Sequence, residues 1–447
     1  MVEDGGAKRR CAAILISCLA YLAWLPGHAA AASGPLSPVP GFGTGGVVHA
    51  GSGRGFTPYA VAVDSRRRIW VGGSGGSNLA QLVVFRFLPD GRPDRAFGRA
   101  GAIRLPGLAW DVELVPDRSG GAYVLGASPE DEESITHLGS DGTPSRRFGT
   151  EGTVHLPLAA ETNHEMELSH PLVGLPGGGL LAAGRGGTLD ERFEESGPLE
   201  LARLSAAGHR VRSFGGDGVA VLGDPRLRRL RMTDVGVTRD GRILVSGSIP
   251  KPPRRYESET EFEAHREAVL VELTRRGRLD RQFGHDGIAT PRVPSESKAM
   301  LVRSERDGSI IVAGVRTRTN PELPEYGLYR PFVLRLDRDG SLAQRFEPTP
   351  VASFGSGYEA AKFASNMSDL LTAAGRLFVA AGGAEFGTAA LLTYSSQGGG
   401  GTYLRLAPEG SESVTTIAVR GRELVVLATG ASESGFLLRA FRVGPTR

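Results

Sequence analysis

A repeated Phe-Gly step constrains the fold of this chain more than any other sequence feature. Its six copies begin at Phe42, Phe97, Phe148, Phe214, Phe283 and Phe354. The copies are 51 to 71 residues apart, and a short apolar run follows most of them. Self-similarity at such a period is typical of architectures that copy one supersecondary unit. We therefore expect one large repeated structure, although 447 residues would otherwise suggest about three domains.

Each unit consists of apolar runs of four to eight residues separated by glycine-containing turns. Unit four shows the pattern: two runs flank a turn in TDVGVTRDGRILVSG, a third is AVLVELTRRG, and a short fourth follows Phe283-Gly284. Runs rich in Val, Ile and Leu between Asp-Gly or Gly-Gly steps are typical of strands joined by hairpins. No segment of comparable length has a 3.6-residue period, so the sequence predicts an all-β protein.

The two ends of the chain indicate how the units are arranged. Unit seven ends after three strands, whereas 47–50 (VVHA) has the character of a fourth strand without a unit. Pairing the two would remove two exposed sheet edges at once. The sequence thus predicts an all-β, seven-bladed β-propeller of four-stranded blades, closed by an N-terminal Velcro strand. A linear β-solenoid, or a propeller of six or eight blades, are the alternatives.

The repeat resembles a known family. The segments DGRILVSGS (240–248), VLVELTRRGRLDRQFGHDG (269–287) and VLRLDRDGSL (333–342) are similar to the delta-60 repeat, the FG-rich bacterial β-propeller-like repeat. The resemblance covers most of 42–347 and weakens beyond it. It implies the architecture and no catalytic residues.

The N-terminal region predicts export. Three basic residues, Lys8 to Arg10, precede the apolar stretch 11–25, a Pro-Gly break and the small residues 29–32, which is typical of a secretory signal. We expect a signal peptide at 1–32, a linker at 33–41 and a single propeller domain at 42–447, with degenerate repeats after about 347. An uncleaved anchor, a twin-arginine signal and lipidation at Cys18 are alternatives. The expected location is secreted or cell-envelope.

Composition excludes some classes of partner and site. The net charge is +3, with 52 basic and 49 acidic residues scattered along the chain, so neither nucleic acid nor a membrane is indicated. Cys11 and Cys18 both lie in the signal, which excludes disulfides and cysteine-ligated metals from the mature chain. We expect a monomer with no cofactor and no metal site. The loop 163–170 misses the metal-binding HExxH spacing, and 337–340 lacks the further ligands of a calcium loop.

One further motif fits a catalytic pattern formally, but its context favours a structural interpretation. The segment 72–76 (GGSGG) fits G-x-S-x-G, but a nucleophile elbow requires a helix after the serine, and a strand follows here. We expect a flexible loop at this position.

The insertions of units three to five favour a binding function. The connections between their second and third strands are long and charged, and in a propeller these connections share one face. They carry residue types that are enriched at binding hot spots. The candidate binding residues are Arg254, Arg255, Tyr256, Phe262, Arg316, Arg318, Tyr326, Tyr329 and Arg330.

The sequence favours an exported, non-catalytic scaffold that binds a macromolecule, an unknown protein or a glycan, through this face. The first alternative is a propeller enzyme, a lyase or hydrolase acting on a carbohydrate or lactone, with its site at the central channel mouth. The first strands offer Asp111, Glu113, Asp234 and Glu305 for such a site. Three or more polar residues within ~4 Å at the axis would favour the enzyme. A structural envelope or adhesion module is the remaining alternative.

Overall fold

The computed structural model describes residues 36–51, 55–76, 81–105, 112–127, 133–156, 172–185, 188–189, 195–196, 198–251, 266–293, 296–319, 327–346, 367–381, 390–396, 401–405, 412–430 and 435–444. The expected signal peptide lies outside them. Strands dominate these residues, and their one helical element is a 3-10 turn at Pro225–Leu227, capped by the side chain of Asp224. In this part of the chain, no helix has the length and apolar character to cross a membrane.

Blades one to three each form a four-stranded antiparallel sheet. Blade one comprises β3 (Phe56–Val63), β4 (Ile69–Gly75), β5 (Gln81–Phe87) and β6 (Ala102–Leu105). Blade two comprises β7 (Glu113–Pro116), β8 (Ala122–Ala127), β9 (Glu133–Leu138) and β10 (Thr153–His155). Blade three comprises β11 (Leu172–Gly174), β12 (Leu180–Arg185), β15 (Leu199–Leu204) and β16 (Val219–Leu222), with a small hairpin of β13 (Thr188–Leu189) and β14 (Glu195–Ser196) between its second and third strands.

Blades four to seven repeat the same order. Blade four comprises β17 (Arg231–Val237), β18 (Ile243–Pro250), β19 (Arg266–Leu273) and β20 (Ile288–Ala289). Blade five comprises β21 (Glu296–Ser304), β22 (Ile310–Thr319), β23 (Gly327–Leu336) and β24 (Leu342–Arg345). Blade six comprises β25 (Met367–Ala373), β26 (Arg376–Ala381), β27 (Ala390–Ser395) and β28 (Thr402–Arg405). Blade seven comprises β29 (Glu412–Arg420), β30 (Glu423–Gly430) and β31 (Phe436–Val443), completed by β1 (Leu36–Pro38) and β2 (Val47–Ala50).

The ring is closed by the N-terminal segment, as the sequence predicted. Strand β2 pairs antiparallel with β31, and β1 pairs with the far end of the same strand. The inner strand of blade seven, β29, packs against β3 of blade one. The protein is therefore a seven-bladed β-propeller, and this closure rules out a linear solenoid. Part of the stretch that we expected to be a linker, 33–41, is paired, because β31 offers an edge long enough for two strands.

Seven apolar clusters hold the blades together, one at each blade-to-blade interface. Each blade buries both of its faces against its neighbours, which is why the second and third strands are continuous apolar runs. Strand β4, for example, is buried along its whole length. The strand 1–2 turns lie on one face of the ring, which we call the hairpin face. The strand 2–3 connections lie on the other, which we call the insertion face.

The Phe-Gly step is the joint between blades. The Phe ring is almost fully buried at each described copy, and the glycine after it has a positive φ of 51° to 56°. That glycine donates its N–H to a turn carbonyl of the next blade, as in Gly215 to Arg276 at 2.9 Å. A Cβ on the turn glycine that follows, Gly277, would lie 2.9 Å from the ring of Phe214. The step thus fixes the spacing of blades through one aromatic ring and one backbone hydrogen bond.

The G-x-S-x-G segment is not a loop, contrary to expectation. Residues 72–75 lie in β4, and Ser74 is only 2 % exposed. A Cβ on Gly72 would lie 2.7 Å from Val112, next to the inner strand of blade two. Gly72 is therefore needed for the close approach of two blades, whereas a Cβ on Gly73 would lie 2.1 Å from the Thr57 carbonyl oxygen of its own blade. The segment 337–340 is a hairpin turn as predicted, with the Asp339 carboxylate accepting from the Ser341 N–H at 2.9 Å.

Candidate functional site

The described part of the predicted binding surface belongs to blade five. Four of the nine candidates lie on its hairpin, with Arg316 and Arg318 on β22 and Tyr329 and Arg330 on β23. Arg316 is directly opposite Arg330 in the ladder. The other five candidates, Arg254, Arg255, Tyr256, Phe262 and Tyr326, lie outside the described residues, as does the loop 163–170.

Blade five extends farther toward the insertion face than the blades with short connections. Its inner three strands contain 9, 10 and 10 residues, whereas those of blade two contain 4, 6 and 6. The extra length lies at the end where β22 meets β23, and it carries the four arginine and tyrosine candidates. The described part of the insertion in this unit is thus a continuation of the sheet.

A polar cluster lies on the inner strands that surround the axis. We call it the axial cluster: Asp234 of β17, Arg303 of β21, Asp369 of β25 and Thr416 of β29. The guanidinium of Arg303 donates to Asp234 and lies 3.5 Å from a carboxylate oxygen of Asp369. The hydroxyl of Thr416 donates to the other oxygen of Asp369. One arginine therefore joins three consecutive blades, and the threonine adds a fourth.

Backbone N–H groups donate further hydrogen bonds to both of these carboxylates. Asp234 accepts from the N–H of Val235 and of Val302, each at 2.9 Å. Asp369 accepts from the N–H of Leu370 at 3.2 Å and, across the interface, of Ile417 at 3.4 Å. All four carboxylate oxygens are therefore engaged.

A third blade also has an inner-strand carboxylate that accepts a backbone hydrogen bond from the next blade. Glu113 of β7 accepts from the N–H of Leu172 in blade three. It stands three residues before the last paired residue of its strand, as Asp234 does in blade four. Carboxylates on the inner strands of blades two, four and six thus each bind the inner strand of the following blade. Glu305, the other described candidate, accepts from the Thr372 hydroxyl at 2.6 Å, and Asp111 lies outside the described residues.

The electrostatics of the axial cluster favour a structural role. Burial raises the pKa of Asp234 and of Asp369, although Arg303 opposes this shift. Burial opposes the charged form of Arg303 as well, but the two carboxylates prevail and raise its pKa. A general base needs a free oxygen within hydrogen-bond reach of the substrate proton. The cluster meets the distance criterion for an axial site, but each of its carboxylate oxygens already accepts a hydrogen bond within the fold.

Sequence reasoning missed Asp369, Arg303 and Thr416. A β-bulge precedes the aspartate in both blades, between Met232 and Asp234 and between Met367 and Asp369. A bulge adds one residue to a strand and so shifts its alternation, but Asp234 follows the same kind of bulge. Asp369 was missed because no local pattern shows that it meets side chains of two other blades. The signal was present as the triplets MTD (232–234) and MSD (367–369) at the starts of two inner strands.

No group of three or more His, Cys, Asp or Glu residues that could hold a metal occurs within the described ranges. An open cavity of about 810 Å³ lies on the hairpin face between blades seven and one. It lies on the face opposite the predicted binding residues.

Comparison with known proteins identifies the fold and no closer relationship. No family model matches the chain. No curated protein matches it. Among solved structures, it is similar to the polysaccharide lyase Uly1, with a TM-score of 0.50 and 12% identity over 86% of this chain and 90% of that one. It is also similar to a PL25 ulvan lyase, with a TM-score of 0.52 and 10% identity over 89% and 96% of the two chains. A PL25 ulvan lyase bound to -[GlcA(1-4)Rha3S]- gives 0.51, again at 10% identity over 89% and 96%.

Proposed function

We propose that this protein is an exported, non-catalytic β-propeller that binds an acidic polysaccharide on its insertion face. The observation that carries the proposal is the extended β22–β23 hairpin, which places Arg316 opposite Arg330 with Arg318 and Tyr329 nearby in the ladder. Arginine binds carboxylate and sulfate groups through paired hydrogen bonds, and tyrosine supplies a flat apolar surface. Export is inferred from residues 1–32 alone.

The axial cluster supports the non-catalytic part of the proposal. A carboxylate that already accepts hydrogen bonds on both oxygens is poorly placed to abstract a proton. The lyases of similar fold support a carbohydrate ligand by analogy only, because a shared fold hosts many functions. One of them was observed with a uronate-containing, sulfated disaccharide repeat.

The experiment measures binding of glucuronate-containing and sulfated polysaccharides, with neutral polysaccharides for comparison, to the mature protein by affinity electrophoresis. We expect retardation by acidic chains only. Charge-assisted contacts predict that the double variant Arg316→Gln, Arg330→Gln weakens it at least about tenfold. The control is Arg239→Gln with Arg306→Gln, which removes two exposed arginines from the hairpin face. Equal retardation of both double variants, or none of the wild type, would refute the proposal.

A polysaccharide lyase is the second candidate, favoured by the fold similarity. A lyase that cleaves a uronide by elimination leaves an unsaturated sugar, which absorbs in the ultraviolet. Incubating the protein with the same acidic polysaccharides and recording ultraviolet absorbance separates the two candidates. A rise in absorbance with the wild type that is absent with the Arg316→Gln, Arg330→Gln variant would show that this surface carries out catalysis. The lyase would then be the better candidate.

A further inference from the structure

The two strand 1–2 turns at the closure of the ring depart from the repeat. In blades one, two, four and five this turn contains five residues, 64–68, 117–121, 238–242 and 305–309. The fourth residue is Gly120, Gly241 or Gly308, with φ between 80° and 92°. In blade one it is Arg67, with φ 64°. A side chain at such a φ is strained, so the arginine occupies a position that the fold reserves for glycine.

Arg67 reaches across the closure to blade seven. Its guanidinium lies 3.1 Å from the carboxylate of Glu423 on β30. Arg420, which is buried, holds the same carboxylate through two nitrogens at 2.6 and 2.8 Å. Arg420 also donates to the Pro89 carbonyl of blade one at 2.6 Å. One acid is therefore shared by two arginines, and its position is fixed from both blades.

These residues line the cavity of about 810 Å³. Its charged lining consists of Arg67, Arg420, Arg422, Arg442, Asp64 and Glu423. Four arginines against two acids leave an excess of two positive charges. The acids are already neutralised, because Asp64 accepts from Arg68 at 2.7 Å and Glu423 from Arg420.

Two of the arginines are available to a ligand. Arg422, in the turn of blade seven, and Arg442, near the end of β31, are both exposed. Within the described residues neither side chain has an ion-pair partner. The preorganised pair of Arg420 and Glu423 forms the floor beside them, and Arg67 lies at the rim with more than half of its side chain exposed.

We propose that the closure cavity binds a small molecule that carries two or more oxyanion groups, phosphate or carboxylate. Arginine forks match the geometry of both groups, and several arginines around a concave surface attract anions from a distance. The volume is in the range of pockets for small molecules, about 300–1,000 Å³, and far exceeds one inorganic ion. The site is on the face opposite the proposed polysaccharide surface, and its occupation does not depend on that function.

The test is isothermal titration of the mature protein, at an ionic strength of about 0.1 M where the Debye length is about 10 Å, with tripolyphosphate and, separately, with citrate. We expect at least one of them to bind with one ligand per chain, and the probe that binds tighter identifies phosphate or carboxylate as the preferred group. The double variant Arg422→Gln, Arg442→Gln should bind that probe at least about tenfold more weakly.

The matched control is the double variant Arg239→Gln, Arg306→Gln. It removes the same charge from exposed turns of the hairpin face in blades four and five. Its affinity for the probe should stay within about twofold of the wild type, since charges beyond a Debye length are screened. The proposal is overturned if neither probe binds, or if both double variants lose the same affinity. Thermal unfolding of each variant confirms that the exposed substitutions leave the fold intact.

Discussion

The interfaces that carry a Phe-Gly joint and the interfaces of blades five to seven are held by different means. At the former, a buried Phe packs on a turn glycine of the next blade and one backbone N–H crosses the interface, as Phe214 and Gly215 show. Between blades five and six, Phe346 packs edge-on against Tyr394 and Arg335 donates to the Ser396 carbonyl at 2.6 Å. The axial cluster adds Arg303 and Asp369. The Phe-Gly joint itself uses no charged group, although ion pairs can accompany it, whereas the described contacts between blades five and six include Arg335 and the Arg303–Asp369 ion pair.

Removing a joint should have the largest effect. Phe214 is fully buried, and truncating a buried Phe to Ala costs about 3–5 kcal/mol. We expect Phe214→Ala to lower the free energy of unfolding by that amount in urea denaturation. Phe346→Ala, at an interface without a described Phe-Gly joint, should cost less. Equal losses in the free energy of unfolding would mean that the Phe-Gly joint stabilises the fold no more than the Phe346 contact does.

Arg303 is the one cation of the axial cluster, and it joins blade five to blades four and six. Arg303→Leu leaves Asp234 and Asp369 without their cation, and an unpaired buried charge costs about 3 kcal/mol. The pKa of both carboxylates is already raised by burial, so the variant should be least stable above that pKa and should recover as the pH falls through it.

Denaturation of this variant and of the wild type at pH of about 5 and 8 tests whether the variant loses more stability at the higher pH. Adding Asp369→Asn to Arg303→Leu should restore part of the stability at the higher pH. A deficit that is the same at both pH values would show that the arginine acts through packing alone.

The smallest expected effect is a pH dependence within a joint-bearing region. Glu272 stands at the register position of Arg86 and Arg335, and it pairs with Arg242. Burial raises its pKa to about 7, although Arg242 opposes the shift. The folded state therefore binds the extra proton, and stability should fall by about 1–3 kcal/mol as pH rises from ~4.3 to ~7.

Glu272→Gln should flatten that decline in denaturation experiments over the same pH range. Asp240→Asn is the contrast, because hydrogen bonds from Thr238 and Arg242 lower the pKa of Asp240. A carboxylate with a lowered pKa contributes stability that is lost as pH falls. Asp240→Asn should therefore change the pH dependence of unfolding only at acidic pH, and only slightly. An unchanged slope in Glu272→Gln would exclude Glu272 as the titrating group.

The propeller could be predicted from sequence because its repeats are local and redundant. Periodic apolar runs, glycine turns and one orphan strand each indicated the same architecture, so an error in any single unit did not matter. The axial cluster could be predicted only in part, since local sequence patterns do not show which polar side chains of different inner strands meet at the axis. The closure cavity could not, because it is formed by residues from opposite ends of the chain, among them Ser37 and Arg442.

The pairing of β1 and β2 with β31 also has a consequence for how the protein is made. The first strands to be synthesised have no partner until the last strand exists, so the ring cannot close before the whole chain is available. The entropy of closing so long a loop grows only slowly with its length, but contacts of such sequence separation form late. Until β31 is present, the edge of β30 is open to other strands, and a chain truncated before Phe436 should be prone to aggregate.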